Sequence, residues 1–135
     1  MTPLAGIACV SVAVPSIAEA LPAYTEGLGL ELIGEHDSKR FDLRWAELGR
    51  DGKVFVELLE PTSESSQIRR FLDRRGPGVY QVRFKVGNLD DTLTELEARG
   101  MRVVRGADVA GEPRLGFVHP ASTHGVLFEL VEKPE

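Results

Sequence analysis

The chain carries an internal repeat with an offset of 72 residues (129 − 57), and this feature limits its fold more than any other. The stretch VFVELLEP, residues 54–61, is matched near the end by VLFELVEKP, residues 126–134. Each copy places one carboxylate, Glu57 or Glu129, inside an apolar strand pattern. A repeat on this scale predicts two equivalent modules, in which each element of the first has a counterpart in the second.

Secondary-structure patterns recur in the same order in both modules. Alternating, β-rich stretches at residues 7–14 and 79–86 predict the first strand of each. Helical patterns follow, with Ser16 and Asn88 as the predicted N-caps. The remaining predictions are helices over residues 15–30 and 88–100, then strands at about 30–35, 41–48 and 53–60 and at about 102–105, 114–119 and 125–131.

The segment between the copies predicts a linking helix. In residues 65–76, Ile68, Phe71 and Leu72 fall at helical spacing and are expected to face inward. The predicted organisation is a βαβββ module over residues 1–62, a linking helix over 63–76 and a second βαβββ module over 77–135. A module of this size cannot bury both sides of a sheet alone, so the modules are expected to pack into a single α+β domain.

Composition limits the class of partner. The chain has 135 residues, 42% of them hydrophobic and 27% charged, which is typical of a soluble globular protein. Its net charge of −5 argues against binding to nucleic acid or to anionic membranes. No signal peptide or membrane-length apolar run is found, and the single cysteine, Cys9, excludes an intrachain disulfide. We therefore expect a cytoplasmic protein with a small-molecule partner.

Strand parity predicts where the two repeated carboxylates point. Alternate side chains of a strand share a face, so Val56 and Leu58 should lie under the helices while Glu57 faces away. The same parity puts four polar side chains on the face away from the helices: Cys9, Glu57, Gln81 and Glu129. If that face is concave, they converge in a pocket. Two buried carboxylates need a cation, a proton or an arginine nearby, and Arg83 shares a strand face with Gln81.

Five stretches resemble the vicinal oxygen chelate (glyoxalase/bleomycin resistance/dioxygenase) superfamily, and within it most resemble the methylmalonyl-CoA epimerases. The resemblance covers nearly the whole chain and implies a cup-shaped mixed sheet of two βαβββ modules, an active site inside it and a homodimer. The stretches are VSVAVPSIAEAL from residue 10, YTEGLGL from 24, VELLEP from 56, SQIRRFL from 66 and FVHPASTHGVLFEL from 117.

The resemblance also implies a metal site whose ligands have changed. Those epimerases hold a divalent metal by a histidine on the first strand, a glutamine or glutamate on the fourth, a histidine on the fifth and a glutamate on the eighth. The loop glutamate that serves them as a base aligns with Ser38, and Arg83 stands where they have a small residue. The cofactor expectation is therefore none, or Co, Mn, Ni or Zn if the site is retained. The ligand positions here are Cys9, Glu57, Gln81 and Glu129, so both histidines are replaced.

Further candidates for substrate contact share the same faces or lie close by. His36 falls in the polar segment 35–40, which is expected to be a loop over the site, and Trp45 is expected in the core, at a dimer interface or, less favoured, as a substrate-stacking wall. The arginine pairs 69–70 and 74–75 either cover a solvated helix face or grip a CoA phosphate. The predicted substrate-binding residues are Gln81, Cys9, Ser11, His36, Phe55 and Trp45.

Three functions remain open. The first is an epimerase or isomerase that moves a proton on an acyl-CoA or related carbonyl compound, with Glu129, Glu57 and Arg83 as the predicted catalytic residues. The second is a metal-independent member that catalyses another isomerase, lyase or cyclisation step in a specialised pathway. The third is a non-catalytic protein that binds a small molecule in a dimer cleft, for which an aromatic ligand would call for more aromatic side chains than Phe55 and Trp45.

Overall fold

The computed structural model describes residues 3–132, and within this range the chain divides into two compact units. The N-terminal unit comprises residues 9–80, and the C-terminal unit comprises residues 3–8 and 81–132. Together they contain eight strands and three α-helices, which confirms the predicted α+β class.

The N-terminal unit contains β1 (Leu4–Ala13, which begins in the C-terminal unit), α1 (Ile17–Pro22), β2 (Glu31–Ser38), β3 (Leu43–Arg50), β4 (Lys53–Pro61) and α2 (Gln67–Arg75). Its strands pair in the order β2–β3–β4–β1, with β1 parallel to β4 and the other neighbours antiparallel.

The C-terminal unit contains β5 (Gly78–Val86), α3 (Leu89–Ala98), β6 (Val103–Arg105), β7 (Leu115–Val118) and β8 (Phe128–Glu132). It repeats the arrangement of the N-terminal unit, with strand order β5–β8–β7–β6 and β5 parallel to β8. The register repeats as well, because Val10 pairs with Val56 in one unit and Val82 pairs with Phe128 in the other.

Both predicted N-caps are confirmed. The Ser16 hydroxyl accepts a hydrogen bond from the Glu19 amide at 3.2 Å, and the Asn88 side chain accepts one from the Asp91 amide at 2.9 Å. Each satisfies one of the amides that the first turn of a helix leaves without a partner in the helix.

A second cap, which the sequence did not suggest, also obeys the repeat. The Ile17 amide donates to Glu60 Oε1 at 2.7 Å, and the Leu89 amide donates to Glu132 Oε1 at 2.9 Å. Each glutamate lies at or next to the end of the last strand of its half. Because it accepts from a first-turn amide, its carboxylate lies at the positive end of the helix dipole. These contacts tie the helix of each half to the strand that also carries the repeated carboxylate.

Three apolar clusters form the interiors of the two units, each within a single unit. One lies between α1 and the sheet of the N-terminal unit, and another lies between α3 and the sheet of the C-terminal unit. The third cluster shows that the sheet face expected to be free of helices is covered at one end by α2. There, Leu59 and Ala13 are buried against Ile68 and Leu72. Parity placed Leu59 on the correct face but could not show that α2 packs there.

Strands β1 and β8 begin at Leu4 and Phe128, three residues before and three residues after their predicted starts, and the first helix and β2 differ further. The first helix is shorter than residues 15–30, because α1 ends at Pro22 and a π-helical turn follows over Ala23–Gly27. Pro22 has no backbone N–H to donate to the α-helical hydrogen-bond pattern. In the π-helical turn that follows, the Leu28 amide donates to the Ala23 carbonyl five residues earlier, at 3.0 Å. The loop predicted at 35–40 is wrong over residues 35–38, since β2 continues to Ser38.

Candidate functional site

In the C-terminal unit, Gln81, Arg83 and Glu129 form one buried polar group, here called the Glu129 cluster. Gln81 Nε2 donates to Glu129 Oε2 at 2.8 Å. Arg83 Nε lies 2.5 Å from the same oxygen in an ion pair whose side chains are 16% and 8% exposed. The predicted neighbours of Glu129 are therefore brought together around one carboxylate oxygen.

Strand pairing explains this geometry. Because β5 runs parallel to β8, Arg83 pairs directly with Glu129, and Gln81 lies two residues earlier on the same face of β5. Arg83 supplies a positive charge and the Gln81 amide donates a hydrogen bond, so the negative charge of the buried carboxylate is compensated locally. These contacts offset the desolvation cost that an isolated carboxylate would carry at this buried position.

In the N-terminal unit, the equivalent carboxylate has a weaker donor. The Ser11 hydroxyl donates to Glu57 Oε1 at 3.1 Å, and both residues are buried. Ser11 pairs with Glu57 across the parallel strands β1 and β4, as Arg83 pairs with Glu129. Cys9, at the position equivalent to Gln81, is also buried on the same strand face.

A second carboxylate lies beside Glu57, and sequence analysis missed it. Glu47 on β3 pairs directly with Glu57 on β4, so the two side chains share a face. Glu47 Oε1 lies 2.8 Å from His36 Nε2, and the His36 ring centroid lies 4.9 Å from that of Trp45. The alternation of Trp45 and Glu47 in LRWAELGR was the signal that would have placed Glu47 on this face.

The other sequence candidates fall into different surroundings. His36 lies on strand β2, paired with Trp45, and not in a loop. Trp45 packs at the edge of the apolar cluster beneath α2. Phe55 is 47% exposed, and the Ser38 hydroxyl accepts a hydrogen bond from the Phe41 amide, which closes the turn after β2. Arg75 stacks on the ring of Phe71 within α2, at 5.6 Å.

The donor set around Glu129 does not fit a divalent metal. Its Oε2 already faces a guanidinium and an amide N–H, both positive in character, and a cation at that oxygen would have to displace Arg83. Within residues 3–132, no three histidine, cysteine, aspartate or glutamate side chains are grouped as a metal site requires. Cysteine, carboxylate and amide oxygen also suit different classes of ion.

Two βαβββ units, each with a carboxylate on the strand that pairs parallel to its first, define a class of small α+β proteins. Residues 10–118 match the sequence profile of the Glyoxalase/Bleomycin resistance protein/Dioxygenase superfamily. The match covers well over half of the chain, so this protein belongs to that superfamily. None of the helices within residues 3–132 combines the length and hydropathy needed to cross a bilayer.

Similar proteins include methylmalonyl-CoA epimerases. The crystal structure of that epimerase from Mycobacterium tuberculosis is 34% identical, covers 100% of this chain and 92% of its own, and has a TM-score of 0.88. A Streptomyces coelicolor methylmalonyl-CoA epimerase variant in complex with 2-nitronate-propionyl-CoA is 27% identical and has a TM-score of 0.86. The match covers 98% of this chain and 99% of that one. The uncharacterized protein YqjC of Bacillus subtilis is 28% identical, covering 91% of this chain and 89% of its own.

Proposed function

We propose that the protein is an epimerase-like enzyme that moves the α-proton of an acyl-CoA, with Glu129 as a base. The observation that carries the proposal is a buried carboxylate held at one oxygen by Arg83 and Gln81. The similarity to methylmalonyl-CoA epimerases supports the substrate class, because one of those structures contains methylmalonyl-CoA itself.

The Glu129 cluster suits enolisation because its charges can be redistributed without a metal. When the α C–H bond breaks, its proton passes to the Glu129 carboxylate and its electron pair forms the enolate, leaving negative charge on the thioester oxygen. Glu129 becomes neutral in the same step, so the positive charge of Arg83 becomes available to the enolate oxygen. Gln81 supplies a further N–H donor. Preorganised donors of this kind stabilise developing oxyanions strongly in a buried site.

The proposal assigns to Arg83 the charge that a divalent ion would supply in the epimerases that this chain resembles. It rests on the ion pair with Glu129, and no step depends on a bound metal. In the same proposal, Cys9 and Gln81 replace the two histidines that hold the metal in those epimerases.

Inversion at carbon requires a second acid–base group, since a proton must leave one face and arrive at the other. For this role we propose Glu57 from the sequence repeat alone, because it occupies the position equivalent to that of Glu129. Ser11 holds its carboxylate by a neutral hydrogen bond.

The test is a time course of epimerisation of methylmalonyl-CoA by wild-type protein and Glu129→Gln. Glutamine keeps the size of the side chain but cannot accept the proton, so turnover should fall roughly 10²- to 10⁴-fold. Glu132→Gln is the matched control, because Glu132 lies on the same strand and caps α3 instead. A folded Glu129→Gln variant with full activity would exclude Glu129 as the base, and an inactive wild-type protein would exclude the proposed reaction.

A further inference from the structure

Helix α2 concentrates positive charge in an acidic chain. Its nine residues include four arginines and one aspartate, a formal charge of +3, whereas the whole chain carries −5. Within residues 3–132, none of the four guanidinium groups forms an ion pair with a carboxylate. The four arginines, here called the α2 patch, are Arg69, Arg70, Arg74 and Arg75.

Helix stability accounts for only half of the α2 patch. Arg74 and Arg75 lie in the last turn, where the negative end of the helix dipole favours cations. Arg69 and Arg70 lie in the first turn, which has no acidic residue and where the dipole disfavours positive charge. Arg70 and Arg74 are also four residues apart, so two like charges are neighbours on the helix surface, which is unfavourable. An anion bound at this pair would offset both costs.

The α2 patch faces solvent because the opposite side of the helix packs on the sheet. Ile68 and Leu72 are buried in the apolar cluster beneath α2, and Phe71 packs beside them. Helical spacing then places Arg70 and Arg74 on the outer side, where both are exposed. Two exposed guanidinium groups one turn apart can present several N–H donors to one anion.

The position of α2 relates the patch to the candidate site of the N-terminal unit. Leu59, which is buried against the helix, lies two residues along β4 from Glu57 and on the same strand face. That separation is about 7 Å along the strand, and an α-helix is about 10 Å across. The outer surface of α2 is therefore too far from Glu57 for an acyl group, and at a distance that suits the far end of a long substrate.

We propose that Arg70 and Arg74 bind the phosphates of the coenzyme A part of the substrate. The proposal rests on the proposed function, in which the substrate is an acyl-CoA. Coenzyme A carries its phosphates beyond the pantetheine arm, remote from the reacting carbon. Arginine is well suited to phosphate, because its guanidinium makes charge-assisted, bidentate contacts. In an acidic chain, a local positive patch also counters the general repulsion of an anionic substrate.

The proposal is tested by titrating the full-length protein with coenzyme A in a calorimeter and by steady-state kinetics. Arg70→Gln and Arg74→Gln should each raise the Kd for coenzyme A about 10-fold, as expected for the loss of one charge-assisted contact. KM for methylmalonyl-CoA should rise in parallel while kcat stays the same, because the reacting atoms are untouched. With methylmalonyl-pantetheine, which lacks the phosphates, the variants and wild type should have the same kcat/KM.

Arg50→Gln is the matched control, because Arg50 is an exposed arginine of the same unit that lies outside the α2 patch. Its Kd and kinetic constants should equal those of wild type. Arg70 and Arg74 are exposed, so both glutamine variants should fold, and circular dichroism melting checks this. Arg70→Gln should melt at or slightly above the wild-type temperature, since it removes a cation from the positive end of the helix.

The outcomes distinguish the phosphate site from the reaction it serves. An unchanged Kd in both glutamine variants overturns the phosphate site and leaves the proposed function standing. An equal loss of kcat/KM with methylmalonyl-CoA and with methylmalonyl-pantetheine assigns the arginines a structural role and also overturns the site. Coenzyme A binding that weakens in the variants, with a wild-type protein that does not epimerise, supports the site and overturns the proposed function. A wild-type protein that neither binds coenzyme A nor epimerises overturns both.

Discussion

The two halves of the molecule stabilise an equivalent buried carboxylate with different side chains. Each buries a carboxylate on a strand that runs parallel to the first strand of its half, and the cross-strand partner lies at the same register. In the N-terminal unit that partner is Ser11, a neutral donor, whereas in the C-terminal unit it is Arg83, a cation. The backbone register is repeated, but the side chain at the paired position is not.

This difference separates structural features from functional ones. The carboxylate caps of Glu60 and Glu132 occur in both halves, because every helix of this kind needs partners for its first amides. Strand pairing does not depend on the side chains opposite Glu57 and Glu129, because the backbone hydrogen bonds form whatever the side chain. Those side chains were therefore able to diverge, and the half with the cation is the one to which we assign the first proton transfer.

The largest expected effect on stability comes from replacing Arg83 with serine, the residue type of Ser11 at the equivalent position of the N-terminal unit. Arg83→Ser leaves Glu129 buried with Gln81 and without its cation, which should lower the free energy of unfolding by about 3–5 kcal/mol. Urea denaturation at neutral pH measures the change. Arg105→Ser, which breaks an exposed pair with Glu97, is the control and should leave the unfolding midpoint nearly unchanged, because solvent screens exposed ion pairs.

A double variant sharpens this result. Arg83→Ser combined with Glu129→Gln removes both charges, so most of the lost stability should return. If the single and double variants are equally unstable, the loss arises from packing of the arginine side chain and the electrostatic contrast between the halves is wrong.

A smaller effect is expected in the N-terminal unit. Ser11→Ala removes one neutral donor from Glu57 and should cost about 1–3 kcal/mol, less than the Arg83→Ser change. Both variants belong in the same urea series, so that their unfolding midpoints are directly comparable. A larger loss for Ser11→Ala than for Arg83→Ser would reverse the ranking of the two sites.

The helix caps should respond equally in the two halves. Glu60→Gln and Glu132→Gln each weaken a charged cap on a first-turn amide and should each cost about 0.5–1 kcal/mol. Thermal melts of the two variants should therefore shift by similar amounts. Unequal shifts would show that the symmetry of the backbone does not extend to the energetics of its caps.

The smallest effect concerns an ion pair found on α3 and not on α1. Arg114 bonds to Asp90 at 2.5 Å and lowers the pKa of that carboxyl, whereas the position equivalent to Asp90 in the first half is Ala18. Because the folded-state pKa is lowered, the stabilisation is present above the ordinary aspartate pKa and is lost as the pH falls through the folded value. Melting temperatures of wild type and Asp90→Asn should differ slightly at neutral pH and converge on acidification. A gap that is constant with pH would contradict this.

Sequence alone was sufficient for features that depend on local periodicity. Alternation placed Glu57, Gln81 and Glu129 on their strand faces, and capping chemistry identified Ser16 and Asn88. These features depend only on neighbours within one element.

Features that depend on pairing between elements were not predictable in this way. The register of β2 against β3 turns the polar segment around His36 into an edge strand and brings Glu47 to His36 and Glu57. An edge strand exposed on both faces has no hydrophobic alternation, so its sequence resembles that of a loop. The packing of α2 on Leu59 likewise depends on where the chain returns after β4.

Exchange of the α-proton of methylmalonyl-CoA in heavy water, followed by NMR with and without a chelator, tests whether Arg83 acts in place of a metal ion. We expect exchange by the wild-type protein that persists undiminished in the chelator, because Arg83 supplies the charge beside Glu129. Exchange that stops in the chelator and returns with cobalt or manganese would contradict the assignment of that charge to Arg83. No exchange under either condition would contradict the proposed reaction itself.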